Sequence, residues 1–227
     1  MRLRVTFAKQ GALRYTGHLD LHRIWERAAR RAGLPLAYSQ GFHPQPKLNL
    51  AAALPLGFSS RCEVLDMRLN DDLPLEGLRE RIQQAVPSGL QVMDVQSVDE
   101  RLPALQTLVE AAEYEARLMD PMDPADLSGC VAALLGESSL PRERRGKPYD
   151  LRPLVQELTV ATGPRGEVFL HMRLSARERA TGRPEEVLEQ LGIPPETVRI
   201  ERTRLIFAAQ PVELAAKPSG IKPDMVE

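Results

Sequence analysis

Residues 2–8 read Arg-Leu-Arg-Val-Thr-Phe-Ala, and residues 19–32 read Leu-Asp-Leu-His-Arg-Ile-Trp-Glu-Arg-Ala-Ala-Arg-Arg-Ala. The first stretch alternates, with Leu3, Val5 and Phe7 on one side, as a half-buried strand does. The second has helical spacing: at 100° per residue, Leu21, Ile24, Trp25, Ala28 and Ala32 share one arc. Arg23, Arg27, Arg30 and Arg31 share the opposite arc, and Gly33 and Pro35 stop the helix. Two strand candidates follow without a helix between them, 47–54 and 62–69. Asp72 and Pro74 open a second predicted helix carrying Leu75, Leu78, Ile82, Ala85 and Val86, ended by Pro87 and Gly89. Residues 90–98 close the unit as a strand. The order is β-α-β-β-α-β.

The remainder repeats that order. Residues 110–118 read as a strand, and Asp123-Pro124 as a cap and first-turn proline ahead of Leu127, Cys130, Val131, Leu134 and Leu135. Strands 154–161 and 168–174 are joined by the turn Thr162-Gly163-Pro164-Arg165-Gly166. Thr181 and Pro184 open a helix with Val187, Leu188 and Leu191 inward, Gly192 ends it, and 198–207 alternates as a last strand. The expected class is α+β: two tandem ferredoxin-like units with antiparallel sheets, 1–99 and 107–207. Residues 208–227 hold three prolines and no periodicity, and read as a flexible tail.

Composition narrows the possible functions. The 227 residues are 43% hydrophobic and 27% charged, values that exclude wholesale disorder. The longest weakly polar run, 50–58, holds a proline and a glycine and is far short of the ~20 residues a membrane span needs. Charged residues interrupt the N-terminus, no apolar signal core follows, and a cytoplasmic location without membrane contact is expected. Cys62 and Cys130 exclude a disulfide framework, a four-cysteine zinc site and a three-cysteine cluster motif within the chain. Each lies in an apolar segment and reads as a buried small hydrophobe. No metal or organic cofactor is expected on this chain.

The near-neutral net charge of −1 conceals an asymmetry. Residues 1–60 hold nine Lys or Arg against only Asp20 and Glu26, while the rest holds 21 bases and 29 acids. Three of the four histidines and six of the ten aromatics also fall in 1–60. This points to a dedicated anion-binding face, or alternatively to a basic face that pairs with the acidic remainder. Burying Trp25 drives the four helix arginines outward, with Arg14 and Lys47 added to the same surface. Residues 34–47, a long irregular connection, place Tyr38, Gln40, Phe42 and His43 beside it, residue types that stack bases and grip phosphates. The alternative is a loop whose aromatics form a small core of their own. His18 can act as a phosphate contact, a general base or part of the helix cap. Asp20 reads as a first-turn acid. Arg142-Glu143-Arg144-Arg145-Gly146-Lys147 is a second basic cluster, either a solvated turn or an extension of the basic face. No phosphate-binding loop, dinucleotide fingerprint, nucleophile elbow or zinc-protease motif occurs.

The runs Gly17-His18-Leu19-Asp20-Leu21, Glu26-Arg27-Ala28 and Arg30-Arg31-Ala32, then 34–42, Pro44, Pro46-Lys47, Leu54-Pro55-Leu56-Gly57 and Asp150-Leu151-Arg152-Pro153-Leu154, resemble the radical SAM-linked protein family. The chain departs from that family's pattern at Gly17, His43 and Gln45. The resemblance implies a domain of unknown function fused to, or encoded beside, a radical SAM protein. That partner would carry the 4Fe-4S cluster and bind S-adenosylmethionine. Three classes are then open: a non-catalytic accessory module binding RNA or another anionic substrate, a metal-independent endoribonuclease-like enzyme, and a purely protein-docking partner. The first is the expected one.

Overall fold

Arg2–Lys9 forms strand β1, whose Leu3, Val5 and Phe7 are fully buried. Phe7 meets the edge of Trp25 on helix α1 (His18–Arg31) with ring centroids 4.7 Å apart, so the apolar arc of that helix lies on the sheet. The chain continues through β2 (Leu48–Leu50), β3 (Ser59–Arg68), α2 (Leu78–Ala85) and β4 (Leu90–Val98). Then come β5 (Val109–Leu118), α3 (Pro124–Gly136), β6 (Pro141–Arg144) and β7 (Lys147–Asp150). Strands β8 (Val155–Thr162), β9 (Val168–Arg177) and β10 (Ala180–Thr181), helix α4 (Pro184–Gln190) and β11 (Val198–Phe207) complete it. This computed structural model describes residues 1–208. The tail read at 208–227 lies, from residue 209 on, outside the described residues.

The fold is mixed α+β, with four helices and a large, mostly antiparallel sheet among the described residues. In the first half the strands lie in the order β4, β1, β3, β2, and in the second β11, β5, β9, β8, with β10 also on β9. Two separate sheets were expected from the sequence; instead β11 runs parallel to β3 through Glu201↔Ser59 and Arg202↔Ser60, making one nine-stranded sheet. The reason lies in β2. A strand over 47–54 would cover the edge of β3, but β2 stops at Leu50 and pairs only with Leu65 to Met67. The uncovered start of that edge is taken by β11.

Alternation along the strands separates two environments. Leu65 and Met67 join Leu3, Val5, Phe7 and the α1 and α2 faces in one apolar cluster, whereas Val64 joins a second cluster built mainly from 105–205. Arg2 and Asp66 are buried, and Arg4 reaches the same carboxylate at 2.8 Å. Arg2 also donates to the carbonyls of Leu102 and Pro103 at 2.6 and 2.9 Å, which fastens the connection between the halves.

Other elements differ from the sequence reading. Helix α2 starts at Leu78, not at Asp72–Pro74, because Gly77 turns the chain at φ 68° and leaves Leu75 exposed. Cys130 is exposed rather than buried, since it sits on the flank of the α3 arc centred on Leu127, Val131 and Leu134. The cluster 142–147 is a β6–β7 hairpin turning at Arg145 and Gly146, both at positive φ. Its Arg144 bonds Glu186 at 2.6 Å and Arg142 pairs with Glu189, both on α4. That cluster therefore serves internal packing of the second half. No helix among the described residues is long and apolar enough to cross a membrane.

Candidate functional site

Helix α1 presents Arg23, Arg27, Arg30 and Arg31 on one exposed face. Their surroundings differ. Arg23 pairs with Asp20 at 3.1 Å and Arg30 with Glu26 at 2.8 Å, both helix-surface pairs in solvent, which are worth little. Arg31 donates to the Ala85 carbonyl at 2.8 Å, tying α1 to the end of α2. Arg27 has no carboxylate within 4 Å among the described residues. Four guanidinium groups against two acids leave the face positive.

Residues 36–47 are a backbone-bonded finger rather than an irregular loop. Ala37 donates to Arg68, Arg68 to Lys47, and Lys47 back to Ala37, at 2.8, 3.0 and 2.9 Å. Further out Ser39 donates to the Gln45 carbonyl at 2.8 Å, and the Gln45 amide to the Ser39 hydroxyl at 2.9 Å. Gly41, at φ 132°, lets the tip turn. Tyr38 lies half-buried at the base, where its hydroxyl accepts two bonds from Arg30 at 3.0 and 2.9 Å. Gln40, Phe42 and His43 are exposed at the tip, and Phe42 is fully exposed. The alternative of a small aromatic core inside the loop does not hold, because Tyr38 packs inward and Phe42 projects. Lys47 is exposed where the finger returns to β2.

The other candidates lie apart. Arg14 stacks on Tyr15, 4.8 Å from its ring centre, and its carbonyl accepts from Gly57. His18 opens α1, with its pKa pushed below the ordinary value by partial desolvation and by neighbouring His22. His22 is fixed at 3.1 Å from the Leu48 carbonyl. The two histidines line a cavity of about 320 Å³ with residues 48–53 and Gln106, not the arginine face.

A larger cavity, of about 740 Å³, was not read from the sequence. Residues 51–55 and Gln106 form one wall, and Arg144, Arg177, Arg179, Arg183 and Arg202 contribute from the second half. Residues 51–53 and Gln106 also wall the histidine cavity, so the two hollows adjoin. Arg202 is 2% exposed and grips Glu63 at 2.9 and 3.1 Å and the Ala53 carbonyl at 2.6 Å. Burial opposes its charge, yet Glu63 and Tyr114 hold its pKa above the ordinary arginine value. Its Nε has no hydrogen-bond partner. Glu185 also lines the cavity; burial raises its pKa, and its Oε2 is unpartnered. No local pattern could have announced this site, because its residues come from six separate stretches.

Among the described residues no group of three or more His, Cys, Asp or Glu is placed to hold a metal. The family described as "Uncharacterized protein conserved in bacteria (DUF2344)" matches residues 2–184. No curated protein matches the chain. Among solved structures, it is similar to a chain of a Cbf5-Nop10-Gar1 complex at 10% identity and TM-score 0.49, covering 89% of this chain and 48% of that one. It thus spans about half the length of that chain. The acetolactate synthase small subunit from Thermotoga maritima is similar at 13% identity and TM-score 0.25, covering 90% of this chain and 94% of that one.

Proposed function

We propose, from the premise that this chain belongs to the DUF2344 family of uncharacterised bacterial proteins, that it is a non-catalytic module binding single-stranded RNA through α1 and the adjoining finger. The observation that carries the reading is Phe42. A fully exposed aromatic on a backbone-bonded support, beside four outward arginines, has no packing role and offers a stacking platform next to phosphate contacts. The Arg30–Tyr38 bonds couple the finger to the helix, so platform and charges form one unit.

The finer fold reading accompanies it: two tandem ferredoxin-like units, 1–99 and 107–207, fused edge to edge, supported by the same strand order in each half. By the radical SAM resemblance the module's partner is an enzyme that carries the 4Fe-4S cluster and S-adenosylmethionine, and the charged N-terminus supports a cytoplasmic location. The support for the resemblance is the sequence runs around α1 and the finger.

Fluorescence anisotropy with a single-stranded RNA oligomer tests this. Four or five phosphate contacts, from the α1 arginines and Lys47, should make log K fall with log salt by about 0.7 per contact. R27E with R30E should weaken binding by about tenfold or more at low salt, and Phe42→Ala by about 1–3 kcal/mol, without loss of fold. No RNA affinity in the parent protein, or affinity unchanged in these variants, would put the protein-docking reading first.

A further inference from the structure

We infer that the 740 Å³ cavity between the halves is a binding site for a phosphate monoester of nucleotide or sugar-phosphate size, held by Arg179 and Arg183. Its volume lies within the range of small-molecule sites. Its charge is directional. Arg202 and Arg144 are committed to Glu63 and Glu186, and Arg177 lies 3.9 Å from Glu110. Arg179 and Arg183 form no salt bridge within 4 Å among the described residues, although Glu178 and Glu185 also line the cavity, so two guanidinium groups remain available at the wall. Such forks suit the two or three oxygens of a terminal phosphate.

Two further features point to a ligand. Arg202 is buried, lines the cavity and keeps an unpartnered Nε, a donor of the kind that native interiors rarely leave unsatisfied. Glu185 adds an unpartnered carboxyl oxygen on the same wall. A sugar or nucleoside carries both acceptors and hydroxyl or amino donors to match this polar wall, while Ala51, Ala52 and Ala53 leave room for a ring opposite. Arg179 itself sits in the two-residue turn between β9 and β10 at φ 67°, where glycine or asparagine is easier to accommodate.

The site stands apart from the RNA reading, because it uses neither α1 nor the finger and the ligands that decide it are a mononucleotide and a sugar phosphate. Calorimetric titration of the full chain with adenosine 5′-monophosphate and with ribose 5-phosphate tests it, with adenosine as control. Binding with a Kd of about 1 mM or tighter by both phosphates, and not by adenosine, is expected. R179G with R183A should weaken it about tenfold or more, with melting temperature unchanged or raised because glycine suits the turn. Should that variant fold poorly, amide shift changes confined to residues 51–53 and 177–185 on adding adenosine 5′-monophosphate to the parent protein serve instead. Absence of binding by either phosphate at about 10 mM overturns the inference. So does equal binding of adenosine, undiminished binding by the variant, or shift changes elsewhere. A 5′-phosphorylated RNA trimer that competes with the nucleotide, where the 5′-hydroxyl trimer does not, assigns the phosphate to an RNA end; no competition assigns it to a free metabolite.

Discussion

Glu63 and Arg202 are 139 residues apart in sequence, both buried, and bonded twice. Removing one partner leaves an uncompensated buried charge, so Arg202→Met should destabilise the protein by about 3–5 kcal/mol in denaturant titration. The double change E63L with R202M should cost less, since no lone charge remains. A single change below about 1 kcal/mol would show that water reaches the pair. Beside it, burial pushes the Cys62 thiol up to about 11, while Cys130 is exposed on α3. Near pH 8, Cys130 should therefore alkylate about 100-fold faster than Cys62, and mass spectrometry of the two peptides reads the ratio. Denaturant should abolish the difference. The exposure of the α1 arginines was legible in sequence, because a helix that buries Trp25 fixes what lies opposite. The projection of Phe42 was not, since no local rule tells a tucked aromatic from an outward one.

At the scale of elements, the missed hairpin β6–β7 shows where pattern reading fails. Its strands are four residues each, rich in charge and without apolar alternation, so they carried no strand signal. They exist because their side chains find partners elsewhere: Arg142 and Arg144 on α4, and Asp150 at the hairpin's end. One Asp150 oxygen accepts the amides of Leu140 and Arg152 at 2.7 and 2.9 Å, which lowers the carboxyl pKa. A depressed carboxylate stabilises the fold above its unfolded pKa and loses that contribution as pH falls. Stability should thus decline as pH drops below about 4, and Asp150→Ala should remove part of that slope. Equal slopes in parent and variant, compared by denaturant midpoints from pH 6 to about 2.5, would refute it. The start at Asp123 was readable because cap and first-turn proline act locally, and that of α4 through Pro184 alone, since Thr181 lies on β10 and Arg183 takes the cap position without a side-chain bond. The start of α2 was not, because Asp72 and Pro74 offer the same signals and only Gly77 decides.

Across the whole molecule, Trp25 lies in the apolar cluster of the first half and is the single tryptophan. The shared sheet and the Glu63–Arg202 pair should make both halves unfold together. Trp25 fluorescence and far-ultraviolet circular dichroism should then give coincident midpoints, and Arg202→Met should shift both equally. An earlier fluorescence transition would mean that the first half melts alone. The helices and longer strands of each half were legible because they are patterned locally. The joining of the sheets was not, because it depends on where β2 stops and on a strand about 140 residues further along.

That joining also has a consequence for biosynthesis. β11 is made after every other described strand, yet it lies between β3 and β5. Until it emerges from the ribosome, the start of the β3 edge is open, Glu63 lacks its Arg202 partner, and β5 lacks one neighbour. An unpaired edge invites wrong pairing between nascent chains. The first half therefore waits in a form that needs protection, and the last strand locks both halves in a single late event.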